Sequence, residues 1–269
     1  MRRILVTIAA LVALAGCQTV QTTQPGAVGV ERQQSMLVSS AEVNASASKA
    51  YQQITAEAAK KGQLNTDAAQ LARIRGVSQR LIPQTAAFRA DAPGWQWEVN
   101  LIDAKDVNAW VMPGGKIAFY TGLLEKLKPS DDEIAAVMGH EIAHALREHG
   151  RERASQAMAQ GIALSILGAV AGVSRGGMDL TQAVLNVTLN LPNSREHETE
   201  ADRIGVELAA RAGYDPRAAI VVWEKMSKLG GGKSPEILST HPAPTTRIVD
   251  LQVYAARVLP LYEQAKARP

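Results

Sequence analysis

Gly139-His140-Glu141-Ile142-Ala143-His144 sets two imidazoles four residues apart, with a carboxylate next to the first. On an α-helix, residues four apart share a face one turn above each other, so ring nitrogens of His140 and His144 can reach one tetrahedral zinc. Glu141 is turned about 100° from His140. Its carboxylate therefore stands beside the ion, where it can take a proton from a water molecule. The chemistry on offer is metal-assisted hydrolysis with Glu141 as general base. The alternative is a chance match on a histidine-bearing core helix, and the rest of the chain has to decide.

The helix carries its own start signal. Ser130-Asp131-Asp132-Glu133 follows Pro129 and fits a capping box, in which the Ser oxygen accepts from an early helix N–H and the Glu reaches back. A helix is expected from about Asp131. Ile134, Val137, Met138, Ile142 and Ala145 recur at three- and four-residue spacing, so it should be largely buried. His149 lies off the His140/His144 face and reads as solvated. Two histidines leave a catalytic zinc one protein ligand short, since such sites take three and keep the fourth position open. A second helix, capped by Asn193 or Ser194 after Pro192, offers Glu196, His197, Glu198, Glu200 and Asp202 as the third. Spacing alone does not choose.

Taken together, the two segments resemble metallopeptidase family 48, the family of HtpX and the CAAX prenyl proteases. Ser194, Arg195, Glu198, Ala201 and Asp202 fall on its Ser-Arg-x-x-Glu-x-x-Ala-Asp pattern. The resemblance implies one zinc per chain, held by His140, His144 and Glu198. Asp202, one turn beyond Glu198, would then hold a ligand histidine by its other ring N–H. His197 is expected to be exposed and Glu196 to face the positive end of the helix dipole. The likeness extends to Asn108-Ala109-Trp110-Val111-Met112-Pro113-Gly114-Gly115, similar to the family's Asn-Ala-x-x-x-Pro-Gly-Gly strand, and to Ser239-Thr240-His241-Pro242 with Arg247. It implies that His241 or Arg247 stabilises an oxyanion, the alternatives being a loop histidine without a role and an ion pair between Arg247 and the acidic helix. Asn108, Ala109 and Trp110 are expected on an edge strand that pairs with extended substrate, an ordinary hairpin being the alternative. The multiple transmembrane helices of HtpX and the prenyl proteases are missing, as is any helical-repeat domain. The resemblance is therefore closest to soluble, lipid-anchored bacterial members and does not imply prenylated substrates.

The chain opens with Arg2-Arg3, an uncharged apolar run from Ile4 to Leu14, and Leu14-Ala15-Gly16-Cys17, the three regions of a secretory signal. Leu-Ala-Gly-Cys resembles the bacterial lipobox, which implies lipidation of Cys17, the only cysteine. A single thiol forms no intramolecular disulfide. Residues 18–29 are uncharged and rich in Gln, Thr, Gly and Pro, the composition of a flexible tether. The expected organisation is a signal peptide over 1–16, lipidated cysteine and tether over 17–34, and a protease domain over 35–269, long enough for one sizeable core. Gln18 rather than Asp follows the lipidation site, and the resemblance to enteric bacterial lipoproteins then implies the periplasmic face of the outer membrane. Without Arg2 and Arg3 the net charge of +3 falls close to zero, leaving no nucleic-acid footprint.

The remaining elements must position the site. Two helices are expected between Ala41 and Leu81, parted near Lys61-Gly62, then a strand over Trp95–Leu101 and a hairpin closed by Pro113-Gly114-Gly115. Residues 154–174 and 178–191 read as a helical hairpin over the cleft, or as a shallow membrane contact. Gly230-Gly231-Gly232 reads as a joint before His241, and the last helix, Thr245–Lys266, as interrupted near Pro260. The fold class expected is α+β, mainly α: a zincin-like metalloprotease with a small sheet and a two-helix zinc site. The activity expected is endopeptidase cleavage of unfolded or misassembled envelope proteins. A periplasmic chaperone or assembly factor for outer-membrane components, with a mainly structural zinc, is the rival reading.

Overall fold

The computed structural model describes residues 18–170, 179–229, 236–241 and 245–267. The signal segment, Cys17, Gly230–Gly232 and Pro242 lie outside these. Strands β1 (Gln18–Val20) and β2 (Gln34–Met36) pair antiparallel. Helices α1 (Ser40–Lys60) and α2 (Ala68–Leu81) follow, the first with a Ser39/Glu42 capping box and the second capped by Asp67. Then come β3 (Glu98–Ile102), β4 (Ala109–Met112), β5 (Lys116–Tyr120) and α3 (Thr121–Leu127). Helices α4 (Asp131–Leu146), α5 (His149–Val170) and α6 (Leu180–Leu185) lead into a π turn over 186–190. The remaining helices are α7 (Arg195–Arg211), α8 (Ala218–Lys228), α9 (Glu236–Thr240) and α10 (Thr245–Lys266).

The three-stranded sheet has the order β3-β5-β4. The expected hairpin is present, with Ala109 opposite Phe119 and Met112 opposite Lys116. Its turn needs glycine: Gly115 has φ +82°, and a Cβ there would lie 2.6 Å from the Trp97 ring. One sheet face, with Leu101, Ile117 and Phe119, packs on Ile134, Met138 and Ile142 of α4, while Ile102, Trp110 and Ala118 on the other pack on Val43, Ala47 and Tyr51 of α1. The strand expected over Trp95–Leu101 is shorter, because Trp95 and Trp97 stack on each other at 5.4 Å in the loop before it.

Helix α4 begins where the capping box puts it. Ser130 Oγ accepts from Glu133 N at 3.2 Å, and Glu133 Oε2 accepts from Ser130 N at 2.7 Å. Helix α7 lies against it at a glycine contact: a Cβ on Gly205 would sit 2.8 Å from the His140 backbone nitrogen, and one on Gly139 would sit 2.8 Å from the Gly205 carbonyl. Backbone meets backbone there, which lets short carboxylates on α7 reach imidazoles on α4.

Two expectations fail. Residues 18–34 are not a loose tether: Val28 and Val30 are buried in the main core, and Val28 N donates to Glu207 Oε2 at 2.9 Å. The polar residues that read as solvated instead satisfy a buried cation. Arg147, fully buried, donates from Nη1 to Thr22 and Thr23 Oγ1 at 3.3 Å and from Nη2 to the Arg32 carbonyl at 2.9 Å. The second failure is at Pro260, which sits inside a continuous α10 rather than interrupting it.

Candidate metal centre

Helix α4 delivers His140 and His144 to one place, and α7 brings Glu198 to the same place. His140 Nε2 lies 3.1 Å from His144 Nε2, and Glu198 oxygens lie 3.4 Å and 3.3 Å from those two nitrogens. His241, just after α9, adds a fourth donor, with Nδ1 3.2 Å from His140 Nε2 and 2.9 Å from Glu198 Oε1. All four groups are buried and offer ligand atoms within 4.8 Å of one another. Zinc–nitrogen bonds of 2.0–2.1 Å place neighbouring ligands of a tetrahedron about 3.3 Å apart, so the observed separations are those of a zinc cage. Two imidazole nitrogens on one helix and a carboxylate on the next, all buried and turned toward one point, are the nitrogen and oxygen donors that zinc takes. The donor set fits zinc.

The carboxylates around this cluster are held by one arginine. Asp202 Oδ1 accepts from His140 Nδ1 at 2.9 Å, and Arg247 donates from Nε and Nη2 to Asp202 at 2.7 Å each. Arg247 Nη1 also lies 2.8 Å from Glu198 Oε2, and its guanidinium stacks over Trp223 at 4.2 Å. Of the two roles open to Arg247, the geometry is that of the ion pair with the acidic helix. Burial works against the Asp202 anion, but Arg247 outweighs it and keeps the carboxyl below its usual range. His140 is pushed up to about 9: burial opposes its charge, and Glu198 followed by Asp202 more than compensates. Glu198 and Asp202 thus favour positive charge at this point, which a proton on His140 or a metal cation can supply.

The profile described as Peptidase family M48 matches residues 68–255. The chain belongs to this family. Mitochondrial metalloendopeptidase OMA1 of Saccharomyces cerevisiae is 36% identical over 180 residues, which cover 64% of this chain and 51% of that protein. Its counterpart in Arabidopsis thaliana is 42% identical over 153 residues, covering 56% and 30%. The beta-barrel assembly-enhancing protease of Escherichia coli is 30% identical over 174 residues, covering 61% and 36%. The aligned part of the chain spans about half the length of these relatives or less. Residues 1–18 match the prokaryotic membrane lipoprotein lipid attachment site. Among the described residues no helix is long and apolar enough to cross a membrane.

Within this M48 site Glu141 faces the cluster from the side. Its Oε1 is buried without a hydrogen-bond partner, 3.6 Å from His241 Nε2. Burial raises its pKa, which makes it a better proton acceptor than a solvated glutamate. A cleft opens beside it, bordered by Trp110, Val111, His144, Arg153, Val187 and Asn193. Asn108, Ala109 and Trp110 are all buried, and the Asn108 carbonyl accepts from Tyr120 N at 3.0 Å. Trp110 meets Tyr51 edge to face at 5.8 Å, and its Nε1 is unpartnered. The 186–190 turn packs on β4, at the edge where substrate pairing was expected. Arg153 fastens that segment, donating to the Val187 carbonyl, to Asn193 Oδ1 at 2.8 Å and to the Leu191 carbonyl at 2.8 Å.

Two histidines stand elsewhere than the helical pattern put them. His149 was expected in solvent and is buried, with Nδ1 2.8 Å from His144 Nδ1 and Nε2 2.9 Å from Glu200 Oε2. The cause is one residue: Glu148 adopts φ +50°, so α4 ends and α5 starts in a new direction. His197 is also buried, stacked on His149 at 4.3 Å, with Nε2 3.1 Å from Glu152 Oε2. Glu196, by contrast, is exposed, 3.7 Å from Arg32. Glu200 accepts from Arg147 Nε at 3.0 Å and Arg32 Nε at 2.7 Å. A histidine five residues after His144 was visible in the sequence, but the turn that carries it back to the site was not.

Proposed function

We propose that the protein is a zinc-dependent endopeptidase that cleaves unfolded or misassembled proteins at the surface of a bacterial envelope membrane. His140, His144 and Glu198 hold the metal, and Glu141 is the general base. The observation that carries this reading is the buried, unpartnered Oε1 of Glu141 beside a closed set of metal donors. A structural zinc needs no such carboxylate. Bound zinc supplies a Lewis acid that polarises the scissile carbonyl and lowers the pKa of water.

The chain's own residues do the rest. Glu141 accepts the proton of the attacking water and returns it to the leaving amine. Asp202 keeps the His140 ring oriented through Nδ1, and Arg247 keeps both Asp202 and Glu198 in place. Extended substrate would lie along β4 near Asn108, Ala109 and Trp110, with backbone hydrogen bonds giving affinity without demanding particular side chains. For that to happen the 186–190 turn has to give way, and the His241 ring has to withdraw so that a carbonyl can approach. In that withdrawn position His241 is a candidate oxyanion donor. The described state is therefore a latent one.

The names of the relatives support the substrate class, a metalloendopeptidase in one case and a protease of beta-barrel assembly in another. The lipid attachment site supports anchoring through Cys17, and Gln18 beside it supports the periplasmic face of the outer membrane. The rival reading, a chaperone with structural zinc, is favoured by one observation: His241 supplies a fourth protein donor, as closed structural sites do. Casein cleavage by Glu141→Gln at full zinc occupancy separates the two. Loss of at least about 100-fold relative to the parent is expected for a protease. Equal, measurable rates for the two would overturn the protease reading and support the chaperone.

A further inference from the structure

The structure assigns His149 a role beyond packing: we propose that it is a positioning residue for the metal ligand His144, setting which ring nitrogen of His144 carries the proton. This rests on the reading of His144 as a zinc ligand. The argument follows the protons from the outside inward. Glu200 accepts from Arg147 Nε at 3.0 Å and Arg32 Nε at 2.7 Å, so it is an ionised carboxylate with only lone pairs to offer. His149 Nε2, 2.9 Å from Glu200 Oε2, must then be the donor. In a neutral imidazole the other nitrogen is bare, so His149 Nδ1 is an acceptor. It lies 2.8 Å from His144 Nδ1, and two nitrogens at that distance share one proton. That proton belongs to His144 Nδ1. The lone pair of His144 is left on Nε2, the atom that faces Glu198 at 3.3 Å and His140 at 3.1 Å.

His149 is thus an extension of Glu200, carrying the influence of its carboxylate one imidazole further than a direct contact could. The two arginines on Glu200 limit how much negative charge reaches the metal while leaving the direction of the proton chain intact. His197, stacked on His149 at 4.3 Å, fixes the plane of the ring.

The test uses the full zinc-loaded chain labelled with 15N-histidine. His149 should show a protonated Nε2 and a bare Nδ1, with a coupling across the hydrogen bond to His144 Nδ1. A His149 protonated on Nδ1 overturns the inference without any mutation. Zinc affinity, read by chelator competition, gives the second arm. H149F keeps the ring stack and removes both hydrogen bonds, and should weaken zinc binding roughly 10–100-fold. H149Q, whose amide can accept from His144 and donate to Glu200, should restore most of it. H149F binding zinc as tightly as the parent, with a parental melting profile, overturns the inference, as does H149Q being as weak as H149F. His144→Ala tells the two levels apart: parental affinity in that variant would defeat the metal site itself, whereas its loss alongside an unaffected H149F defeats only the role of His149.

Discussion

His140 and His144 bring the same ring to the same place, and the protein holds them by different means. Behind His140 stands a carboxylate, Asp202, in direct contact at 2.9 Å and paired with Arg247. Behind His144 stands another imidazole, His149, with its carboxylate, Glu200, one ring further out and paired with Arg147 and Arg32. Both routes end in a carboxylate neutralised by arginine, and both turn the Nε2 of the ring toward Glu198. They differ in what they depend on. The His140 route lies wholly within α4, α7 and α10. The His144 route recruits the turn at Glu148 and, through Arg147 and Arg32, the segment that joins the lipid attachment site to the fold. His140 is thereby tied to the two central helices and α10, and His144 to the N-terminal strap.

Breaking the direct route should have the larger consequence. In Asp202→Asn the side-chain amide can turn a donor toward His140 Nδ1–H, and Arg247 loses a buried ionic partner. Uncompensated buried partners cost about 3–5 kcal/mol, and Arg247 keeps Glu198, so the lower end is expected in chemical denaturation. Zinc affinity should fall toward the upper end of roughly 10–100-fold. The relayed route should respond less. In Glu200→Gln an oxygen can still face His149 while Arg147 and Arg32 lose their anionic partner, so the affinity loss in chelator competition should be smaller than for Asp202→Asn. The His149 nitrogen signals should show mixed tautomers. Equal losses in the two variants would mean that the relay transmits as well as direct contact.

The two routes also differ in how far the sequence disclosed them. Helix α4 was legible because its start is local chemistry, Ser130 and Glu133 satisfying each other, and its burial is local periodicity. The β4–β5 hairpin was legible for the same reason, through Pro113-Gly114-Gly115. Spacing could not choose Glu198 among the acidic residues of α7, because the choice depends on how α7 is rotated against α4. That rotation is set by backbone contact at Gly139 and Gly205, which neither glycine announces. The family pattern supplied what geometry withheld, naming Glu198 and Asp202 together. It was silent on His149, His197 and Glu200. Helical reasoning carried α4 past its true end and turned His149 outward, where a single left-handed residue at Glu148 turns it inward. The strap was misread for a different reason. Thr22 and Thr23 are as suited to water as to a buried guanidinium, and composition does not tell those partners apart.

That last ambiguity gives the smallest and sharpest prediction. Thr22 and Thr23 accept from Arg147 Nη1 at 3.3 Å, long for hydrogen bonds, and neither touches a metal donor. In the double variant Thr22→Val with Thr23→Val, Arg147 keeps Glu200 through Nε and the Arg32 carbonyl through Nη2, so its orientation toward the relay is preserved. Bonds to a charged group contribute about 1.5–3 kcal/mol at good geometry, and at this length the pair together should contribute about 1–2 kcal/mol. For a chain of this size that lowers the melting midpoint by roughly 2–8 °C. Zinc affinity and the His149 nitrogen signals should stay as in the parent. A loss of zinc affinity at parental stability would mean that the strap reaches the metal by a path other than Glu200. The strap would then regulate the site as well as hold it in place.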